Sequence, residues 1–302
     1  MVMTMKELKT TTETAVTTTN TTAAETNKKY ILTEECMEFY GRKLYRIKAN
    51  ESFGPVKAGD LGGFIESESN LSHEGKCWVF NNACVMDNAR VIDNAWIGDT
   101  AIVDENATVR EYAKVNGCAH VYGHAVVGSY AKINGACRIG HYSEVYGCVS
   151  GKASIEDNAI IGQDVLITDL ARIGYKAVIS GLSNISGDAT IIDNVNVISS
   201  DIDSGLIFGD SRVINSRIRN NSKICGTTTI NNSDVSHSRI IDNSTILSST
   251  LLNSEVDDNS WVEDSTIIKL SLKGNVRVIN SHVGGDDFDI KRNSIIRNNK
   301  LY

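Results

Sequence analysis

The chain has 302 residues and carries 37 acidic against 30 basic side chains, a formal net charge of −7. That balance argues against a general nucleic-acid binder, which needs a net basic surface, and no apolar run is long enough for a membrane span or a secretory leader. Seven cysteines, odd in number and without a CxxC spacing, fit a reduced, cytoplasmic setting.

Residues 1–29 read as a Thr-rich disordered tail. From Thr10 to Thr26 ten of seventeen residues are threonine, and no apolar period runs through them. The alternative is a tail that orders against a partner.

Residues 30–76 change to short strands and tight turns. Tyr30–Leu32, Cys36–Tyr40, Leu44–Ala49 and Phe64–Glu66 are the strand pieces, with a turn at Gly41-Arg42. The run from Gly54 to Glu66 is rich enough in glycine to suggest a phosphate loop, yet it lacks the Lys-Ser/Thr ending and opens no helix. The segment is therefore expected to cap the open end of the repeat region that begins at Cys77, where unpaired strand edges would otherwise be exposed.

Residues 77–200 carry the dominant pattern. An aliphatic residue falls at every sixth position from Val79 through Val85, Val91, Ile97 and onward to Ile139 and Val145, and a small residue such as Ala83, Ala89 or Ala95 stands two before the next one. Helices repeat at 3.6 residues and strands at 2, so a strict beat of six means a stacked repeat. Asn, Asp and Gly between the beats supply corners that need left-handed backbone. Three units close an 18-residue triangular coil with the aliphatics inside. After Val145 the beat slips, the next aliphatic being placed at Ile155, and it then resumes to Val197.

Residues 201–283 form a C-terminal part whose steps from Ile230 run 5, 5, 6, giving 16-residue coils, and Asp201–Arg219 reads as irregular passage between the two beats. About twelve coils are expected in all. Residues 284–302 lose the beat and are expected to form a terminal cap or tail through Phe288, Ile290, Ile295 and Ile296.

This pattern resembles the hexapeptide-repeat superfamily, which implies an all-β fold, a left-handed parallel β-helix. Tyr45-Arg46-Ile47, Gly59-Asp60-Leu61-Gly62-Gly63-Phe64-Ile65-Glu66, Asn70-Leu71-Ser72 and Trp78-Val79, followed by Asn-Ala-x-Val units, are similar to an uncharacterised group of bacterial and phage β-helix proteins labelled transferases or acyltransferases. The resemblance implies trimers packed along their axes. It brings no catalytic motif.

Candidate sites emerge from the spacing, because residues 18 apart become neighbours on one face. His120 should lie beneath Arg138, and His124 beneath Tyr142 with His141 beside it. The cluster suits a small anionic ligand held by His120, Arg138 and Tyr142, or a general base at His124 or His141. His120 and His124 stand ~13 Å apart along the strand, too far to share a metal ion, and no metal is expected. Trp78 and Trp96 should stack outward as a contact surface for the cap or for a second subunit.

No Ser-His-Asp or Cys-His set aligns, and no loop interrupts Val79–Val145. Two functions remain open. One is a non-catalytic scaffold or ligand-binding protein without a cofactor, homo-oligomeric and of phage type. The other is an acyltransferase using acetyl-CoA.

Overall fold

The computed structural model of the chain describes residues 28–285 and 290–301. Most strands are two or three residues long, and they stack into three sheets of 15, 13 and 14 strands that run the length of a parallel β-solenoid. Each aliphatic of the beat, from Val79 to Val283, is buried inside the tube at 0–2 % exposure. The small residues beside them, Ala83 to Ala131 and then Cys137 and Ser143, are equally buried. The strand preceding each plug contributes one outward residue, the pleat's alternation reduced to its shortest form.

The corners repeat as regularly as the walls. Asn81, Asp87, Asp93 and Asp99 have φ of 53–58°, and the glycines at Gly117, Gly123 and Gly135 take over the same conformation. Asn, Asp and Gly tolerate that region better than other residues. Corner carboxylates also join coils: Asp93 accepts the N–H of Glu111 at 3.0 Å and Asp99 that of Gly117 at 2.9 Å.

Coil length is readable from strand register. Lys114 pairs with both Trp96 and Lys132, a step of 18. Lys132 then pairs with Cys148, a step of 16, and Cys148 with Leu166, again 18. The slip after Val145 is therefore one corner shortened by two residues, and the plug that spacing had skipped is Val149, fully buried four residues on. Later coils tighten earlier than expected. Thr190 pairs with Leu206, a step of 16, so Asp201–Arg219 is regular solenoid. Leu206 pairs with Lys223 at 17, and steps of 16 follow from Lys223 to Thr266. One sheet holds 13 strands between Trp78 and His282, a coil more than expected.

Tight coils use serine where wide coils use alanine. Ser200, Ser216, Ser233, Ser249, Ser265 and Ser281 are buried in one column. In this column Ser216, Ser233, Ser249, Ser265 and Ser281 each give their backbone N–H to the Oγ of the serine one coil earlier at 3.1 Å. A second column runs through Ser222, Ser238 and Ser254. A five-residue step has one peptide fewer with which to satisfy its buried N–H groups, and the hydroxyl supplies the missing acceptor.

At the N-terminal end, β1 (Tyr30–Phe39) and β2 (Arg42–Ala49) form an antiparallel hairpin, with a register shift between Leu32 and Cys36 joining the two expected strand pieces. Next, β3 (Leu61–Ile65) pairs antiparallel with β2 and parallel with Cys84–Val85, so the hairpin extends one wall of the solenoid. The glycines of the suspected phosphate loop serve packing. A Cβ on Gly62 would come within 2.5 Å of Ile47 and 2.7 Å of the Trp78 ring, and one on Gly63 within 2.6 Å of Val79. Lys28 and Lys29, assigned to the tail from sequence, belong to this body. Lys29 is 2 % exposed and its Nζ donates to the Cys77 carbonyl at 3.1 Å. The rest of the Thr-rich segment lies outside the described residues, as does Phe288.

At the other end the stack gains one more strand. Ile295–Arg297 pairs parallel with Arg277–Ile279, burying Ile296, and Lys300–Leu301 folds back antiparallel on it. No helix is long and apolar enough to cross a membrane among the described residues.

Candidate functional site

The tube's register brings the expected side chains together, in two groups instead of one. His120 and Arg138 are paired neighbours on adjacent coils. His124 stacks on Tyr142 with ring centroids 4.8 Å apart and planes 1° from parallel. The first group grows around Tyr122, which spacing had not singled out. His120 lies 4.8 Å from its ring, His141 meets it edge-on at 5.9 Å, and Arg138 sits 5.3 Å above it and donates to its hydroxyl at 3.3 Å. Gly140 makes room for that ring, since a Cβ there would overlap it.

Acids complete the arrangement. His120 Nε2 lies 2.9 Å from both carboxylate oxygens of Asp104. His141 Nδ1 accepts the backbone N–H of Asp157 at 3.3 Å, with the Asp157 carboxylate 3.4 Å away. Burial pushes the Tyr122 hydroxyl up from its ordinary pKa, against the opposing hydrogen bond from Arg138, and that same bond raises the Arg138 guanidinium. His120, expected as a ligand contact, is thus the histidine held by a carboxylate at hydrogen-bond distance, while His124 rests on an aromatic ring.

Beside this cluster runs a groove of about 440 Å³ lined by Arg138, Lys152, Ser154, Arg172 and Tyr175, with the carboxylates of Glu156 and Asp157 among them. Arg138 pairs with Ser154 and Ser154 with Arg172, so two guanidiniums flank one hydroxyl along the axis, two coil rises apart. At ~4.8 Å per rise that is ~10 Å. The serine donates to Glu156 at 2.7 Å, and Glu156 also lies 3.8 Å from Arg138. Lys152, Ser154 and Arg172 escaped the sequence reading because a step of 18 from Arg138 lands on Glu156, whereas the short corner makes the true step 16.

The two tryptophans pair as expected, Trp78 with Trp96. Only Trp96 reaches the surface. Trp78 is 1 % exposed, with Phe53 edge-on at 5.4 Å and Tyr30 at 6.1 Å, so the N-terminal hairpin region takes the contact. Ile102, an outward residue of the neighbouring wall, packs against the cluster of Leu44, Phe64, Cys84 and Met86.

Metal-type clusters are sparse among the described residues. Asp242, Asp257 and Asp258 place carboxylate oxygens within 4.8 Å of one another, and Arg292 lies 3.5 Å from Asp258.

Comparison with known proteins adds little to this geometry. No family model and no curated protein sequence matches the chain. Among solved structures the chain is similar to UDP-N-acetylglucosamine O-acyltransferase (LpxA) from Moraxella catarrhalis RH4, at 12 % identity over 68 % of this chain and 72 % of that one, with a TM-score of 0.24.

Proposed function

We propose that this chain is a non-catalytic, cytoplasmic β-solenoid that captures a small anionic ligand on the wall bearing Arg138 and Arg172. The observation that carries this reading is the axial column Arg138–Ser154–Arg172 with Lys152 at its side, three cations and a hydroxyl in a groove that Glu156 and Asp157 also line. Guanidinium forks match carboxylate and phosphate oxygens, and two of them ~10 Å apart suit a ligand with two anionic ends. Glu156 holds the groove partly neutral until a stronger anion displaces it from the serine and Arg138. In the same reading the winding is left-handed, the protein sits with the bacterial and phage β-helix group, and it assembles as a homotrimer. Leu166, Leu170 and Leu182, all more than 40 % exposed, are the surface it would bury on assembly.

Calorimetric titration with citrate and with inorganic pyrophosphate tests the ligand class. Binding that disappears in Arg172→Ala supports the reading, and no heat from either probe at millimolar concentration overturns it. Light scattering at the mass of one chain would remove the trimer.

A second reading is acyl transfer from acetyl-CoA, favoured by the His120–Asp104 pair, since a carboxylate orients an imidazole that acts as a base. His124 and His141 remain its other candidates. A rise in melting temperature with acetyl-CoA, together with loss of thiol release in His120→Ala, would replace the binding reading with this one.

A further inference from the structure

Nearer the N-terminus, on the adjoining wall, a different groove opens, about 400 Å³ in volume, between two axial columns of side chains. One column is the strand register Trp96–Lys114–Lys132. The other is the corner series Lys76, Asn94, Tyr112 and Tyr130, each 18 residues from the next. Tyr112 and Tyr130 stack at 5.0 Å with their planes 5° apart, and they are 51 % and 70 % exposed. Lys114 Nζ lies 4.2 Å over the Trp96 ring, and the Trp96 indole N–H donates to the Lys76 carbonyl at 3.2 Å.

The charge of this groove is the unusual part. Lys76, Lys114 and Lys132 line it, no carboxylate does, and none of the three is in an ion pair among the described residues. In a chain of net charge −7, three unneutralised ammonium groups beside three aromatic rings make a local site that asks for a polyanion carrying a flat ring. Lysine acts on phosphate as a point charge, and aromatic side chains stack on any nucleobase. From Lys76 to Tyr130 the groove spans three coil rises, ~14 Å at ~4.8 Å each, so base, ribose and a phosphate chain can lie along the axis.

We propose that this groove binds a nucleotide, with the base against Trp96 and Tyr112–Tyr130 and two or more phosphates on Lys76, Lys114 and Lys132. The site is separate from the Arg138–Arg172 groove, and neither needs the other.

Titration calorimetry with ADP, adenosine, pyrophosphate and a sulfated disaccharide on the full chain tests it. The expected result is ADP binding at least about tenfold tighter than adenosine or pyrophosphate, since each supplies only the stack or only the charge. Tyr130→Ala and Lys132→Gln should each weaken ADP about three- to tenfold or more. Both positions face solvent, so an unchanged melting temperature checks that the fold is intact. Arg172→Ala should leave ADP binding as it was. The proposal is overturned if ADP gives no heat at millimolar concentration, if pyrophosphate matches ADP, if the disaccharide binds and ADP does not, or if Arg172→Ala abolishes ADP binding while Tyr130→Ala spares it.

Discussion

Ser233 Oγ accepts the backbone N–H of Ser249 at 3.1 Å and donates to the carbonyl of Asn231 at 2.7 Å, so one hydroxyl stitches two coils and closes its own corner. Ser233→Ala leaves a buried N–H without its acceptor and should cost about 1–3 kcal/mol. Ser244, whose Oγ donates to Ile241 within its own corner at 2.7 Å, should cost about 0.5–1.5 kcal/mol as Ser244→Ala. Urea denaturation of the two variants checks the order. Equal losses would mean that the inter-coil bond contributes nothing of its own.

The end cap should loosen in mild acid. His73 stacks on Tyr30 at 4.3 Å, and both its ring nitrogens are buried without a hydrogen-bond partner. Burial lowers its pKa below 6.5, with Glu68 opposing. Between that lowered value and 6.5 the unfolded chain binds a proton that the folded chain refuses, so stability is full above this window and falls as pH drops through it. Denaturation midpoints at pH 7.5 and 5.5 should differ more in the native chain than in His73→Phe, which keeps the stack and removes the titration. An identical difference in both would sink the assignment.

Thiol chemistry should follow position along the wall. Cys84 and Cys137 are buried, and burial pushes their pKa up to about 11, so at pH 8 they are almost wholly protonated. Cys36 and Cys118 are exposed. Mass spectrometry after brief treatment with iodoacetamide should find the label on Cys36 and Cys118 well before Cys84 or Cys137, because the thiolate is the nucleophile.

Gly140→Ala should disturb the histidine cluster from below. The new methyl overlaps the Tyr122 ring, which must swing away and release Arg138. A loss of about 1–3 kcal/mol is expected for such overpacking. A crystal structure of the variant with Tyr122 unmoved, or an unchanged melting temperature, would contradict it.

The tube itself was legible because a plug at every sixth position leaves a signal that no helix or ordinary strand imitates. Val149 was missed for a physical reason: shortening one corner leaves the strand intact but moves its aliphatic out of phase. The same phase error hid Ser154 and Arg172 from Arg138. Asp104 and Tyr122 lay one strand residue beyond their plugs, where sequence shows polarity but not which coil neighbour a side chain will reach. Trp78 shows the opposite limit, since its register was correct and only the folded hairpin could reveal that Phe53 and Tyr30 cover it. The serine-for-alanine exchange was visible in the late coils, but its purpose needed the hydrogen bonds.

The shortened corner between Val145 and Val149 divides the molecule into two phases. Any pairwise mutational map should show an off-diagonal stripe at separation 18 that drops to 16 for the three walls from Lys132 to Glu144 before it returns. Restoring two residues there would keep every plug in place while sliding the numbering of all later coils. Such an insertion would lie at the corner between the two other walls, inside the turn that carries the chain from Arg138 to Ser154, making it a means of detuning the anion groove without altering a single one of its side chains.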